Sequence, residues 1–194
     1  MGYYINPLIV VFIGVLFFKE RLDYWQIAAL TLAFVGVCIL TVQYGKIPWV
    51  SLILAFSFAL YGALKKLINV QSMLGLALET ALIMPFAVLL IVSRQLSGTG
   101  AIGVITSFST LLLIGSGVVT AVPLLLFAKG AKRIPLSTLG VTQYISPTIS
   151  LLLGIFVYHE SFTSTHLISF GFIWCGVLVY SISQINLATK KQYA

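Results

Sequence analysis

Apolar residues in this chain come in seven long runs separated by short polar gaps. The runs lie near Gly2–Phe18, Trp25–Val42, Pro48–Leu64, Ser72–Ser93, Thr106–Ala128, Pro135–Tyr158 and Leu167–Leu187. A hydrocarbon core about 30 Å thick needs about 20 apolar residues of helix, with about 17 as the practical minimum, so each run predicts a membrane-crossing helix. The gaps are KERLDY, QYGKI, KKLINVQ, a Gly/Thr/Ser stretch around Arg94–Ile105, KGAKRI and HESFTSTH. Almost no chain remains outside the runs. The expected fold is therefore an all-α transmembrane bundle of antiparallel hairpins in a lipid bilayer, with no extramembrane domain.

Composition agrees with the pattern. Of 194 residues 60% are hydrophobic and 8% charged, which leaves too little polar side chain to cover a soluble globule. A mean hydropathy of +1.10 equally excludes a disordered chain. The net charge of +7 would suggest nucleic acid in a soluble domain, but here the basic residues sit in the gaps and set orientation, so no nucleic-acid partner is expected. Lys19, Arg21, Lys65, Lys66, Lys129, Lys132, Arg133, Lys190 and Lys191 fall on one side of the bilayer, and only Lys46 and Arg94 on the other. Short basic loops stay cytoplasmic, which puts the C-terminus inside and Met1 outside. Cys38 and Cys175 lie within apolar runs and have neither CxxC nor metal spacing, so no metal or cofactor is expected. The N-terminal MGYYINPLIV lacks the basic region of a signal peptide, and its run reads as a mature helix.

Displaced by 140 positions, the chain aligns with itself: YINPLIVVFIGVLFFKE matches YISPTISLLLGIFVYHE without a gap. Tyr4, Ile5, Pro7, Ile9, Gly14, Glu20, Gly36 and Val37 recur as Tyr144, Ile145, Pro147, Ile149, Gly154, Glu160, Gly176 and Val177. The first two helices thus correspond to the sixth and seventh. Five helices, an odd number, separate the starts of the copies, so the copies cross the bilayer in opposite senses, as in secondary transporters. The sixth run opens at Pro135, and its counterpart would precede Met1. This leads to the expectation of an N-terminally truncated ten-helix protein. Residues 1–45 would end the first repeat with two helices, 46–188 would form a second repeat of five, and 189–194 would be a cytoplasmic tail.

The segments YINP…GVLFFKERL, QYISPTISLLLGIFVYHESF and VVTAVPLLLFAKGAKRIPLSTLG, with the blocks FSFALYGALKK and LETALIMPFAV, resemble the EamA branch of the drug/metabolite transporter superfamily. The similarity is greatest to RarD-like permeases, whose association with chloramphenicol is a family label. The resemblance covers nearly the whole chain. It implies ten helices in two inverted five-helix repeats, both termini cytoplasmic, and export of a small-molecule substrate across the bacterial inner membrane by alternating access. A homo-oligomer or the missing N-terminal helices are the partners it leaves open.

Pro7, Pro85, Pro123 and Pro147 fall inside predicted helices, where each removes a backbone bond; Pro147 would free the carbonyl of Gln143. In hydrocarbon such a group needs protein or a watery cavity around it. Proline is also simply commoner in membrane helices, and that packing role suits Pro85 and Pro123 better than the repeat pair. Gly140, Gln143, Pro147, Ser150 and Gly154 share one helix face, and Thr106, Ser109, Ser116, Thr120 and Pro123 form a similar stripe. Stripes of small and hydroxyl residues serve close helix approach first and a cavity second. The substrate-cavity candidates are Tyr4, Asn6, Gln143, Tyr144, Ser146 and Ser150.

Glu79 is the only acid well inside a run, about 10 Å along its helix, with Lys65 and Lys66 within reach across a short turn. It is either an ion-pair partner joining two helices or a group that binds a cation or proton during transport. Glu20 and Glu160 end equivalent helices, as gate or latch residues or as solvated helix ends. HESFT lacks the second His of HExxH, and no nucleophile–base set is assembled, so an enzyme is not expected. A seven-helix receptor fits the span count but not the repeat, and a fragment inactive without its missing helices stays as a further alternative. The inverted arrangement has a direct check. A thiol in the HESFTSTH turn should react with an impermeant maleimide on intact cells and one in the KERLDY turn should not; equal reaction of both would count against it.

Overall fold

The computed structural model describes residues 2–45, 48–100, 106–160 and 162–192. Lys46, one of the basic residues counted by side, lies outside them. The described residues hold eight helices and no strand: α1 (Gly2–Phe18), α2 (Tyr24–Tyr44), α3 (Trp49–Leu67), α4 (Ser72–Leu96), α5 (Ser107–Arg133), α6 (Leu136–Thr142), α7 (Ile145–Phe156) and α8 (Ser164–Gln192). Six spans are long and apolar enough to cross a membrane, with α6 and α7 together making one of them, and α1 adds a shorter apolar helix. The seven expected helices are thus present, the sixth split in two, and six of the seven are long and apolar enough to cross.

Helix ends depart from the hydropathy limits for a physical reason. Apolar runs mark the length immersed in lipid, whereas a helix continues for as long as its residues favour it. Thus α5 runs on through Lys129–Arg133, where Ala, Lys and Arg are good helix formers, and stops before Pro135, which disfavours helical geometry at Ile134. Likewise α8 reaches Gln192 and takes residues 189–192 of the expected tail into the helix.

Two compact units are present, residues 1–64 with 134–194, and residues 65–133. In the first, α2 lies along α8. Their closest approach is at repeat-related glycines: a Cβ on Gly36 would come within 2.5 Å of the Ser169 carbonyl oxygen, and one on Gly176 within 2.5 Å of the Ala29 carbonyl oxygen. Small residues permit this approach, which in lipid supplies packing where no hydrophobic effect operates between helices. Ala33, Val37, Leu40, Tyr144, Phe170 and Ile173 form the adjoining core, and Val11, Ala29, Val141 and Tyr180 a second cluster.

The turns from α1 to α2 and from α7 to α8 have the same construction. Lys19 and His159, 140 positions apart, both adopt left-handed geometry at φ 52°. The next residue in each case, Glu20 or Glu160, donates its N–H to the carbonyl of Gly14 or Gly154, at 3.3 and 2.9 Å. Three residues further on, the Asp23 N–H donates to Gln26 Oε1 at 3.0 Å and the Thr163 N–H to His166 Nδ1 at 3.4 Å, closing the start of the following helix.

In the second unit, α4 and α5 leave most apolar side chains exposed, such as Leu82, Phe86 and Val119. Hydrocarbon tolerates that exposure as water would not. The hydroxyls of the α5 stripe turn back on their own helix: Ser116 Oγ donates to the Leu113 carbonyl at 2.6 Å and Thr120 Oγ1 to that of Ser116 at 2.8 Å.

The glycine contacts carry a stability prediction. Gly36→Ala and Gly176→Ala should each destabilise the fold, because overpacking typically costs about 1–3 kcal/mol and exceeds the helix-propensity gain of about 1 kcal/mol. Gly171→Ala, with open space around it, should be neutral or stabilising. Denaturant titration in detergent micelles measures all three.

Candidate substrate site at a broken helix

The sixth span breaks at Gln143–Tyr144. Proline has no N–H, so Pro147 cannot serve the Gln143 carbonyl four residues earlier. That carbonyl accepts instead from Ser146 N–H at 3.2 Å, while Gln143 and Tyr144 donate to Gly140 and Val141, each at 3.1 Å. These are i→i+3 bonds, tighter than a helix permits over any length. Pro7, Pro85 and Pro123 sit within α1, α4 and α5, which run on through them.

At the break the Asn6 side-chain amide of α1 donates to Gln143 Oε1. One donor and one acceptor are used, whichever way the amides are assigned. Asn6 Oδ1, Gln143 Nε2 and the Tyr144 hydroxyl are buried without a hydrogen-bond partner among the described residues. Orphaned polar atoms in an apolar interior are costly unless something binds them. Aromatic rings stand beside them. Tyr4 meets Phe170 edge-on at 5.3 Å, Phe170 meets Trp174 at 5.6 Å, and the Trp174 indole donates to Thr148 Oγ1 at 3.1 Å.

Of the six cavity candidates, Asn6, Gln143 and Tyr144 therefore gather at the break. Tyr4, which packs against the cluster holding Tyr144, and Ser150 line a cleft of about 610 Å³ along α7, and Ser146 is exposed. Phe170 and Trp174 were not among the candidates. Their signal was two aromatics four apart in HLISFGFIW, which an apolar run conceals.

Glu20 reaches across the chain to α6. Its Oε1 accepts the Leu136 N–H at 2.6 Å and its Oε2 the Ser137 N–H at 2.8 Å. Helix starts leave such groups without intrahelical partners, and Pro135 at this N-cap makes no side-chain cap bond. The carboxylate supplies the cap and its charge complements the helix dipole. Glu160 ends the equivalent turn and is exposed.

In the second unit Lys65 Nζ meets Glu79 Oε1 at 2.6 Å, the lysine side chain 6% and the glutamate 43% exposed. Lys66 follows it in the last turn of α3. Lys132 donates to the carbonyl of Ile68 at 2.9 Å and to that of Val70, pinning the α3–α4 link. In the sequence Lys132 stands out only as an orienting charge.

These features define a multi-pass helical membrane protein with a broken span and a turn motif repeated in its two copies. The model of the EamA-like transporter family matches residues 47–182, and the chain belongs to that family. It is 50% identical over 187 residues to the uncharacterized transporter YojE of Bacillus subtilis (strain 168), covering 96% of this chain and 62% of that protein. Protein RarD of Streptomyces exfoliatus is 38% identical over 192 residues, covering 99% and 61%, and Protein RarD of Escherichia coli (strain K12) 38% over 185, covering 95% and 62%. The chain thus spans about three fifths of the length of these curated relatives. No solved structure matches it.

Glu20→Ala should cost about 1–3 kcal/mol by leaving two backbone donors unserved, with Glu20→Gln intermediate because its one carbonyl oxygen still accepts. Denaturant titration measures the loss, and faster amide exchange at Leu136 and Ser137 locates it.

Proposed function

We propose that the chain acts in a permease that carries a small molecule out of the cell, by alternating exposure of a site at the break in the sixth span. One observation carries the reading: Asn6 and Gln143 are bonded at a helix interruption, with a donor, an acceptor and a phenol hydroxyl left over among aromatic rings. Broken helices near the meeting of inverted copies are where carriers hold their cargo. The leftover groups are neutral, so a neutral ligand with both a donor and an acceptor suits them better than an ion. Names given to the relatives, Protein RarD and uncharacterized transporter YojE, support transport. The charge count by side supports a cytoplasmic C-terminus in an inner membrane. Binding and exposure require no covalent catalyst and no cofactor.

Glu79 takes a structural part in this reading, because Lys65 already meets it. Radiolabelled chloramphenicol serves as a neutral aromatic probe. Cells making the chain should expel it faster than empty-vector cells. Asn6→Ala and Gln143→Ala should each slow efflux at least fivefold at unchanged membrane yield. Glu79→Gln should lower yield while leaving efflux per folded molecule within twofold. Efflux unchanged in both amide variants would remove the site, and equal efflux from empty-vector cells would remove this cargo class.

A further inference from the structure

The two repeated turns are alike in backbone but not in what they hold. In the first, the Glu20 carboxylate folds over Gly14, whose added Cβ would lie 2.8 Å from Oε2, and receives the two leading N–H groups of α6. Behind it, α6 settles along α1: Leu136 and Ser137 approach Gly14, and Gly140 approaches Val10, Val11 and the Pro7 carbonyl. Val10 and Ile13 are thereby in the buried interior, at 0% and 1% exposure.

In the second turn the Glu160 carboxylate folds over Gly154 in the same way, again 2.8 Å from the position of a Cβ. No hydrogen bond to it occurs among the described residues. The cleft of about 610 Å³ runs from it along α7, lined by Ser150, Leu151, Leu153 and Gly154. These four, 140 positions on, are the counterparts of Val10, Val11, Ile13 and Gly14. Leu153 is 48% exposed where Ile13 is 1%. The second groove is the first one without its helix.

We propose that the groove on α7 is a docking site for the start of an apolar helix, and that Glu160 accepts its two leading backbone N–H groups as Glu20 accepts those of α6. The occupant follows from the repeat register: a turn of the Pro-x-Ser-x-x-Gly kind, placed 140 positions ahead of α6. The curated relatives, about three fifths covered by this chain, have the length to contain one. A carboxylate complements the positive end of a helix. The small residue four positions after the first N–H is what lets α6 come within contact of Pro7. The inference rests on the repeated geometry and not on transport, so the chloramphenicol result does not bear on it.

The test uses the full chain with Cys38 and Cys175 replaced by alanine and a single thiol at Ser150→Cys. A second form adds a copy of residues 129–140 directly before Met1, in repeat register. Reaction of the thiol with methyl methanethiosulfonate in micelles should be at least tenfold slower in the extended form. Adding Glu160→Gln to the extended form should restore most of the rate, whereas Glu160→Gln in the unextended form should not change it. Equal rates with and without the extension would overturn the docking site, and protection that survives Glu160→Gln would overturn the role of the carboxylate. Protection in the unextended chain that grows with protein concentration would show a second copy in the groove instead. Should the fusion not yield monodisperse protein, residues 129–140 added as a free peptide give the same comparison. The helical unfolding midpoint, raised by the extension and lowered again by Glu160→Gln, provides an independent reading.

Discussion

Hydrocarbon offers no hydrogen bonds, so every backbone N–H and C=O placed in it must find its partner within the protein. Unbroken spans meet this demand alone. The sixth span does not, because it is divided at Gln143–Tyr144 and creates two extra helix ends. Much of the first unit can be understood as the settlement of those ends and of the start of α6. Ser146 takes the carbonyl that Pro147 leaves, and Glu20 takes the first two donors of α6 from a position more than 110 residues earlier in the chain. For Glu20 to reach, α1 must lie against α6, and that closeness in turn requires glycine at positions 14 and 140.

The same requirement explains why so many repeated positions are small or acidic. Gly36 and Gly176 recur because α2 and α8 meet at both, each glycine against the other helix's backbone. Lys19 and His159 share an uncommon backbone conformation because each precedes a glutamate that must fold back onto the preceding helix. A repeat visible as eight matching letters is therefore a repeated piece of geometry, a reversing turn with a carboxylate held over a glycine.

What the sequence reveals and conceals follows from the range of each interaction. The spans were legible because lipid dictates composition over about 20 residues at once. The split was not, since a two-residue turn barely alters the hydropathy of the run containing it; its one local sign was Pro147, four residues after the Gln143 carbonyl it cannot serve. Asn6 and Gln143 stood out as polar side chains in apolar runs, yet their pairing needs α1 and α6 to be adjacent, which no local pattern states. Ser146 shares their polarity but turns outward. For Glu79, reach alone allowed Lys65 or Lys66; neighbours on a helix differ by about 100° in direction, and Lys65 Nζ stands 2.6 Å from the carboxylate. Lys132 was visible as charge, while its hold on the carbonyls of Ile68 and Val70 depends on tertiary packing.

The magnitudes bear on the proposed carrier cycle. A carrier must keep two arrangements within a few kcal/mol of one another, so that a bound molecule can shift the balance. Apolar faces sliding in lipid supply little preference, since hydrocarbon and leucine are nearly equivalent surroundings. Close glycine contacts supply too rigid a preference to be remade in each cycle, which fits α2 and α8 as a fixed frame. A carboxylate on two backbone donors lies between these limits, at about 1.5–3 kcal/mol for a hydrogen bond to a charged group. It is also directional, because it exists only while the helix start faces the acid. The start of α6 carries both, the carboxylate of Glu20 and the glycine packing of Gly14 and Gly140 against α1, so in that account it stays with the frame, and the free energy of a small cargo acts at the unserved groups of Asn6, Gln143 and Tyr144 instead.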